Sequence, residues 1–331
     1  MKIINIAVDC MGGDNAPVDI VKGAIDSLVN KEIKVTLLGD EKKITSELNK
    51  YEFNTEQVEV VYTTETIENC ESPTAAIKGK KDSSMVVGMN LVKEGKADAF
   101  ISAGSTGALL AGATMIVGRI KGVKRPVLTT LLPAGNKHVL LLDAGANVDC
   151  KAEYLNQFGI IGSLYMEKVV GVKNPTVGLL NVGTEEEKGN QLTKETFPLL
   201  SGSNINFVGN VEARDLPLGV ADVVVCDGFV GNIALKLYEG TGKFISGQIK
   251  SEISSSLISK VGGLLSLSAF KKLKKKTDYR EVGGAPFLGL NSLVVKAHGS
   301  SDALAIKNGI FQCYNFAKSN IVDEIKNNIN V

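Results

Sequence analysis

Seven short stretches of this chain gather glycines, carboxylates and small neutral donors. They are VDCMGGDN, ISAGSTG, LDAGAN, LNVGTEEEKGN, VGNVEARD, VCDGFVGN and KAHGSSD. Each follows an apolar run. Glycine lets the backbone approach a ligand closely and take positive φ, and the first turn of a following helix offers free N–H groups to an anion. The chemistry expected is an anion cradle. Its binding positions are Asp9, Gly12, Gly13, Asp14, Asn15, Ser102, Gly104, Ser105, Thr106, Gly107, Asp143, Gly145, Asn147, Asn181, Gly183, Thr184, Gly189, Asn190, Asn210, Glu212, Asp227, Gly228, Gly231, Gly299 and Ser300. Asn232 is a further neutral donor, and Lys188 and Lys296 add charge. Any one such loop is adequately explained by helix capping and turn formation; seven at strand ends argue for a binding site.

Other chemistry has less support. The chain contains no GxSxG elbow, no Walker A loop and no GxGxxG fingerprint. Gly240-Thr241-Gly242 begins such a string but lacks its third glycine. Of the two histidines, His138 follows a turn and His298 sits in KAHGSSD, where it suits either a general base or a structural hydrogen bond. Cys10 and Cys226 end strands and read as buried small residues. Asp9, Asp14, Asp143 and Asp227 have no metal-binding spacing, so neither metal nor cofactor is expected.

The elements that must position these loops alternate. Strands are expected at Ile3–Val8, Lys34–Leu38, Val58–Tyr62, Ala99–Ser102, Val127–Leu131, Val139–Leu142, Val177–Asn181, Ile205–Val208, Val223–Cys226 and Leu293–Ala297. Helical patterns fall between most of them, for example Ala152–Lys168 and Asp302–Asn328. This predicts an α/β fold, a mostly parallel sheet flanked by helices, with the loops along one carboxyl-end crevice. A turn at Pro133–Lys137 predicts local antiparallel pairing. ADAFISAGSTGA and ADVVVCDGFVGN echo one another as two uses of one strand–turn–helix solution. From 240 to about 280 the pattern is helical without a strand. Ile245, Ile249, Ile253 and Leu257 form a stripe, Gly262-Gly263 breaks it, and LLSLSAFKKLKKK ends it with five lysines. The expected organisation is one α/β domain over 1–331 with a protruding helical segment.

Net charge is +1 and tryptophan is absent, which argues against a nucleic-acid partner. Five scattered cysteines without a CxxC pair fit a reduced cytoplasmic protein. No apolar run approaches the roughly 18 residues of a membrane span, and no leader is expected before the first strand.

IAVDCMGGDNAP, ISAGSTGALLA, LLDAGANVDCK, GLLNVGTEEEKGN, FVGNVEARD, ADVVVCDGFVGN and VVKAHGSSD together resemble the bacterial phosphate acyltransferases of phospholipid synthesis. The resemblance runs from Ile6 almost to the C-terminus; Cys10 and Ser105 depart from it, and Gly240–Tyr279 matches weakly. It implies a fold similar to the isocitrate and isopropylmalate dehydrogenases and to phosphotransacetylase. It also implies formation of acyl phosphate from long-chain acyl-acyl carrier protein and inorganic phosphate, by direct attack on the thioester. The implied partners are acyl carrier protein, phosphate, a second copy of the chain, an anionic membrane and a membrane glycerol-3-phosphate acyltransferase. On this reading Lys188, His298 and Asn232 are the catalytic residues, with Lys188 the cationic phosphate contact. Asp9 and Asp14 organise their loop. The rival readings are a phosphotransacetylase-type enzyme using acyl-coenzyme A, an NAD-dependent dehydrogenase and a non-catalytic membrane scaffold. Only four arginines, Arg119, Arg125, Arg214 and Arg280, count against the dehydrogenase.

Overall fold

The computed structural model describes residues 3–277, 280 and 283–329. Its strands are β1 (Ile4–Asp9), β2 (Ile33–Gly39), β3 (Val58–Tyr62), β4 (Ala99–Ser102), β5 (Val127–Ala134), β6 (Lys137–Leu142), β7 (Thr176–Asn181), β8 (Asn206–Glu212), β9 (Val223–Val225), β10 (Ala285–Leu288) and β11 (Leu293–Lys296). They form one eleven-stranded sheet in the order β3-β2-β1-β4-β11-β10-β5-β6-β9-β7-β8.

The sheet contains two parallel sets. β3, β2, β1, β4 and β11 run one way, and β6, β9, β7 and β8 run together. Between them β10 is antiparallel to β11 and to β5, and β5 is antiparallel to β6. These three reversals turn the second set against the first. The expected hairpin is the last of them, closing with Ala134 opposite Lys137 around Gly135, whose φ is +56°. β10 is the strand the sequence pattern missed. It is only APFL, and its proline removes a ladder donor.

Alternating side chains place a core on each face. On one face Val8, Ile101 and Val295 pack with Ile20 and Ala24 of the helix Val18–Ser27 and with Ile306 and Ile310 of the helix Ala303–Ser319. On the other, Ala7, Phe100 and Val294 pack with Met85 and Met89 of the helix Ser84–Lys93 and with Leu109 of the helix Thr106–Gly112. Ala144, Ala146 and Leu235, from the second set of strands and its helices, join that same cluster.

The C-terminal helix is not continuous to Asn328. Asn320 adopts φ 52° and separates Ala303–Ser319 from Ile321–Asn328. The protruding segment starts earlier than expected, as one helix Gly228–Ser254, followed by Leu257–Leu265 and Leu267–Thr277. Its breaks fall at Ser255-Ser256 and Ser266. Gly262-Gly263 does not break it. A Cβ on Gly263 would lie 2.4 Å from Ile253 Cγ2, so this glycine admits close packing of one helix on another. Ile253 of the expected stripe is thereby half-covered, while Ile245, Ile249, Leu257, Ile258, Val261, Leu264 and Leu265 are exposed. The side chains of Lys274, Lys275 and Lys276 lie outside the described residues.

Candidate functional site

The carboxyl ends of β1, β4 and β11 converge. Buried Asp9 closes β1 and accepts three hydrogen bonds: from Ser84 Oγ at 2.6 Å, Ser102 Oγ at 2.6 Å and the Met11 N–H at 3.1 Å. Ser102 Oγ in turn accepts from the Gly104 N–H at 3.0 Å. Asp9 thus ties the first loop to the second and to the helix Ser84–Lys93. The loops are in van der Waals contact. A Cβ on Gly12 would sit 2.6 Å from both Asp9 Oδ2 and the Gly104 nitrogen. Gly13 has φ +103° and faces Ala103 Cβ at 2.8 Å on the same construction. The third loop is tied in by the Asp14 N–H donating to Gly299 O at 2.8 Å and by Asn15 Nδ2 donating to Ser301 O at 3.1 Å. Ser105 caps the next helix, its Oγ accepting from the Ala108 N–H at 3.4 Å. Thr106 and Gly107 open that helix, so their N–H groups have no intrahelical acceptor.

Lys296, the last residue of β11, reaches into this convergence. Its Nζ donates to Ala103 O at 3.2 Å and to Ala297 O. Burial pushes its ammonium down to about 8, while Asp9 and Asp14 oppose the shift. Exposed His298 is held from its own loop: the Ser300 N–H points at Nδ1 at 3.2 Å, and the Ser300 hydroxyl lies 2.8 Å from the same nitrogen. A neutral ring accepting there carries its proton on Nε2.

The other four loops do not share this crest, a correction to the single crevice expected above. Because the second set of strands is reversed, the ends of β6, β7, β8 and β9 lie at the opposite edge of the sheet. Asp143, Gly145, Asn147, Asn181, Gly183, Thr184, Lys188, Gly189, Asn190, Asn210, Glu212, Asp227, Gly228, Gly231 and Asn232 follow these reversed strands, and Ala144 and Ala146 of the first of these loops pack into the cluster that holds Met85 and Leu109. Most of their polar atoms are already engaged. Buried Asp143 accepts from the N–H groups of Gly145, Ala146 and Asn147 and from Asn147 Nδ2 at 2.7–3.0 Å. Burial pushes its carboxyl up, and those donors oppose the shift. Asn147 Nδ2 also donates to Pro126 O at 2.8 Å. Asp227 caps the long helix by accepting from the Phe229 and Val230 N–H groups, both at 2.9 Å. Gly231 is required there, since a Cβ would meet Asp143 O at 1.9 Å.

Further along that edge, Asn181 Nδ2 donates to Lys188 O at 3.1 Å, and Asn190 caps the helix Gln191–Ser201. Asn210 Nδ2 donates to Glu185 O at 2.8 Å, and Glu212 pairs with Arg214. Lys188 is exposed and forms no ion pair among the described residues, with Glu185 and Glu187 included. The Asn232 amide lies over Gly145, 3.3 Å from where a Cβ would be.

Two residues of the converging loops carried little sequence signal. Ser84 follows the helix-capping Ser83, and nothing local marks its role in holding Asp9. Ser301 is buried, with its hydroxyl unpartnered.

Comparison with known proteins adds the following. A family model described as fatty acid synthesis protein matches residues 4–324. A protein of Clostridium acetobutylicum named phosphate acyltransferase is 52% identical over 321 residues, 97% of this chain and 97% of its own. Among solved structures, a phosphotransacetylase from Streptococcus pyogenes superposes with a TM-score of 0.64 at 18% identity, covering 96% of this chain and 94% of that one. A 4-hydroxythreonine-4-phosphate dehydrogenase from Klebsiella pneumoniae superposes with a TM-score of 0.55 at 12% identity, covering 96% and 100%. These two share the fold, and the expected likeness to phosphotransacetylase holds.

Proposed function

The chain belongs to the fatty acid synthesis protein family and is an enzyme of acyl transfer with phosphate, and we propose that it makes acyl phosphate from long-chain acyl-acyl carrier protein and inorganic phosphate, feeding phospholipid synthesis. The observation that carries this reading is the close convergence of the β1, β4 and β11 loops. There glycines let the loop backbones approach one another closely, and the start of the helix Thr106–Gly112 presents N–H groups without intrahelical acceptors. Ser84 and Ser102 keep Asp9 engaged as an organiser of the loops.

The reaction needs no enzyme nucleophile. A phosphate oxygen attacks the thioester carbonyl carbon, the C–O bond forms, the C–S bond breaks, and the electron pair leaves on a thiolate whose reference pKa is about 8.5. Holding phosphate in line with the carbonyl is worth up to roughly 7–11 kcal/mol. A donor aimed at the developing oxyanion is worth roughly 3–4 kcal/mol. Four of the five cysteines fit this route; Cys70 is exposed. Burial pushes the thiols of Cys10, Cys226 and Cys313 well up, and burial with Asp143 and Asp227 pushes Cys150 up to about 12. Of the three expected catalytic residues, His298 lies on the β11 loop beside Gly299 and Ser300, while Lys188 and Asn232 follow strands of the reversed set. Hydroxylamine trapping of acyl phosphate from acyl-acyl carrier protein and phosphate tests the reading, and no product above the rate without enzyme overturns it.

The same reading gives the helical segment an assembly role. A second copy covers the exposed Ile245 and Ile249 face, and the apolar and basic stretch from Leu264 to Lys272 rests on an anionic membrane. No helix among the described residues is long and apolar enough to cross one. The enzyme then works in the cytoplasm at the membrane surface, where a glycerol-3-phosphate acyltransferase consumes its product. The whole chain acts as one α/β domain.

A further inference from the structure

We propose that the Lys296 ammonium is the cation that holds the phosphate substrate, in place of the more obvious Lys188. This rests on the preceding reading that inorganic phosphate is a substrate, and it assigns that phosphate a position and a counter-ion.

The argument begins with an unbalanced charge. Lys296 is mostly buried at the end of β11, and it has no carboxylate within ion-pair distance among the described residues. Burying an ammonium without a partner is costly, and such groups are as a rule paired or ligated. Of its three N–H donors, two meet the Ala103 and Ala297 carbonyls. These two contacts fix the side chain under the β4 loop and leave one donor uncommitted. The groups that compensate its charge do so incompletely. Asp9, from β1, spends both carboxylate oxygens on Ser84, Ser102 and Met11. Asp14, from the loop after β1, is exposed.

Among the described residues no other neighbouring element supplies a counter-ion, and Asp302, beyond the loop after β11, is paired with Arg280. β4 (AFIS), β10 (APFL) and the helix Thr106–Gly112 (TGALLAG) carry no titratable side chain. The helix Ser84–Lys93 carries only Lys93, at its far end, and His298 on the adjoining loop is not an anion. The glycines of the β1 and β4 loops bring those backbones close together, and on the loop after Lys296 the Ser301 hydroxyl is buried without a partner. A small multivalent oxyanion satisfies both the ammonium and this hydroxyl. Lys188 differs in kind: it is exposed.

The test measures inorganic phosphate binding to the full chain by titration calorimetry in two buffers of different ionisation enthalpy, near pH 8.5. A lysine titrating at about 8 is roughly a quarter protonated there. Holding phosphate requires it charged, so binding is expected to take up roughly 0.7 proton. Lys296→Met is expected to weaken phosphate binding by about tenfold to a hundredfold, the range for a charge-assisted contact, and to abolish the proton uptake. Lys296→Arg is expected to retain part of the affinity without the uptake. Phosphate binding by the unsubstituted chain without proton uptake overturns the proposal and needs no variant. So does a folded Lys296→Met protein that binds phosphate within twofold of the parent while still making acyl phosphate. An unsubstituted chain that neither binds phosphate nor makes acyl phosphate overturns the acyltransferase reading itself, and this assignment with it.

Discussion

Replacing Asp9 by asparagine separates two roles for the carboxylate that opens the cradle. In the structure Asp9 is 2% exposed and accepts from two hydroxyls and one backbone N–H. Hydrogen bonds to a charged group are worth about 1.5–3 kcal/mol and neutral ones about 0.5–1.5. An asparagine side chain in the same rotamer keeps the two bonds at Oδ1 in weaker, neutral form. In place of Oδ2 it sets an amide donor against the Ser102 hydroxyl, which already accepts from the Gly104 N–H. Three weakened bonds lose about 3 kcal/mol, and removing a buried charge returns part of it, for a net loss of about 2 kcal/mol. In a chain of 331 residues that lowers Tm by about 3 °C. Asp9→Ala, which leaves the Met11 N–H and both serine hydroxyls without an acceptor, is expected to cost about twice as much. Denaturant unfolding and turnover are measured together for both variants. Stability and turnover should fall in the same order, Asp9→Asn before Asp9→Ala. An Asp9→Asn protein as stable as the parent but inactive would show that the carboxylate acts on substrate and does not organise the loops.

Four further outcomes are expected. Gly12→Ala puts a methyl 2.6 Å from Asp9 Oδ2 and the Gly104 nitrogen; at about 1–3 kcal/mol of overpacking, the protein should fold while its kcat/KM for phosphate falls at least about tenfold. Lys188→Ala, a change at an exposed side chain on the other edge of the sheet, should alter the phosphate KM by less than about twofold, and a tenfold rise would restore Lys188 as the phosphate contact. The Lys296 ammonium, lowered from 10.5 to about 8 by burial against the pull of Asp9 and Asp14, binds fewer protons folded than unfolded between those values, so its contribution to stability rises with pH through that window. Without phosphate, the advantage of Lys296→Met over the parent should be greatest near pH 7 and shrink by up to roughly 3 kcal/mol by about pH 10; a constant difference in urea unfolding would contradict this. Changing Leu267 and Phe270 together to serine should weaken salt-sensitive sedimentation with anionic vesicles and leave turnover in solution unchanged, whereas equal sedimentation with neutral vesicles would remove the membrane role.

Much of the framework is legible because apolar runs and turn residues are local signals. β1 to β4 and the β5–β6 hairpin are readable in this way, as is the echo between ISAGSTG and CDGFVGN. The echoing segments follow β4 and β9, interior strands of the two parallel sets. β10 is not legible, since four residues containing Pro286 give neither length nor propensity. Missing it has a large consequence, because strand direction is a property of the whole sheet. With β10 and the β5–β6 hairpin in place, seven similar loops divide between two edges. Gly263 misleads for a related reason. A glycine pair reads as a helix break, but here one of the two is needed where Ile253 of another helix approaches.

The candidate site was legible in its composition and not in its pairing. Residue types at strand ends predicted an oxyanion cradle, and Asp9 as a loop organiser agrees with its three hydrogen bonds. The family resemblance favoured Lys188 in EEEKGN as the phosphate contact, and sequence alone ranks lysines only by their neighbours along the chain. It does not register burial, which distinguishes Lys296. Asn147 and Asp143 looked like ligand groups for the same reason, and only their geometry shows them bonded to each other and to nearby backbone.

Rapid-quench analysis of a single turnover tests the central claim most directly. Enzyme in excess over long-chain acyl-acyl carrier protein is mixed with phosphate, and carrier-bound, protein-bound and phosphate-bound acyl groups are counted over time. Direct attack by cradled phosphate predicts that acyl phosphate appears without a lag as the carrier thioester disappears, with no acyl group on the enzyme at any time. An acyl-enzyme that forms before acyl phosphate and decays into it, or release of free fatty acid in place of acyl phosphate, would contradict the account.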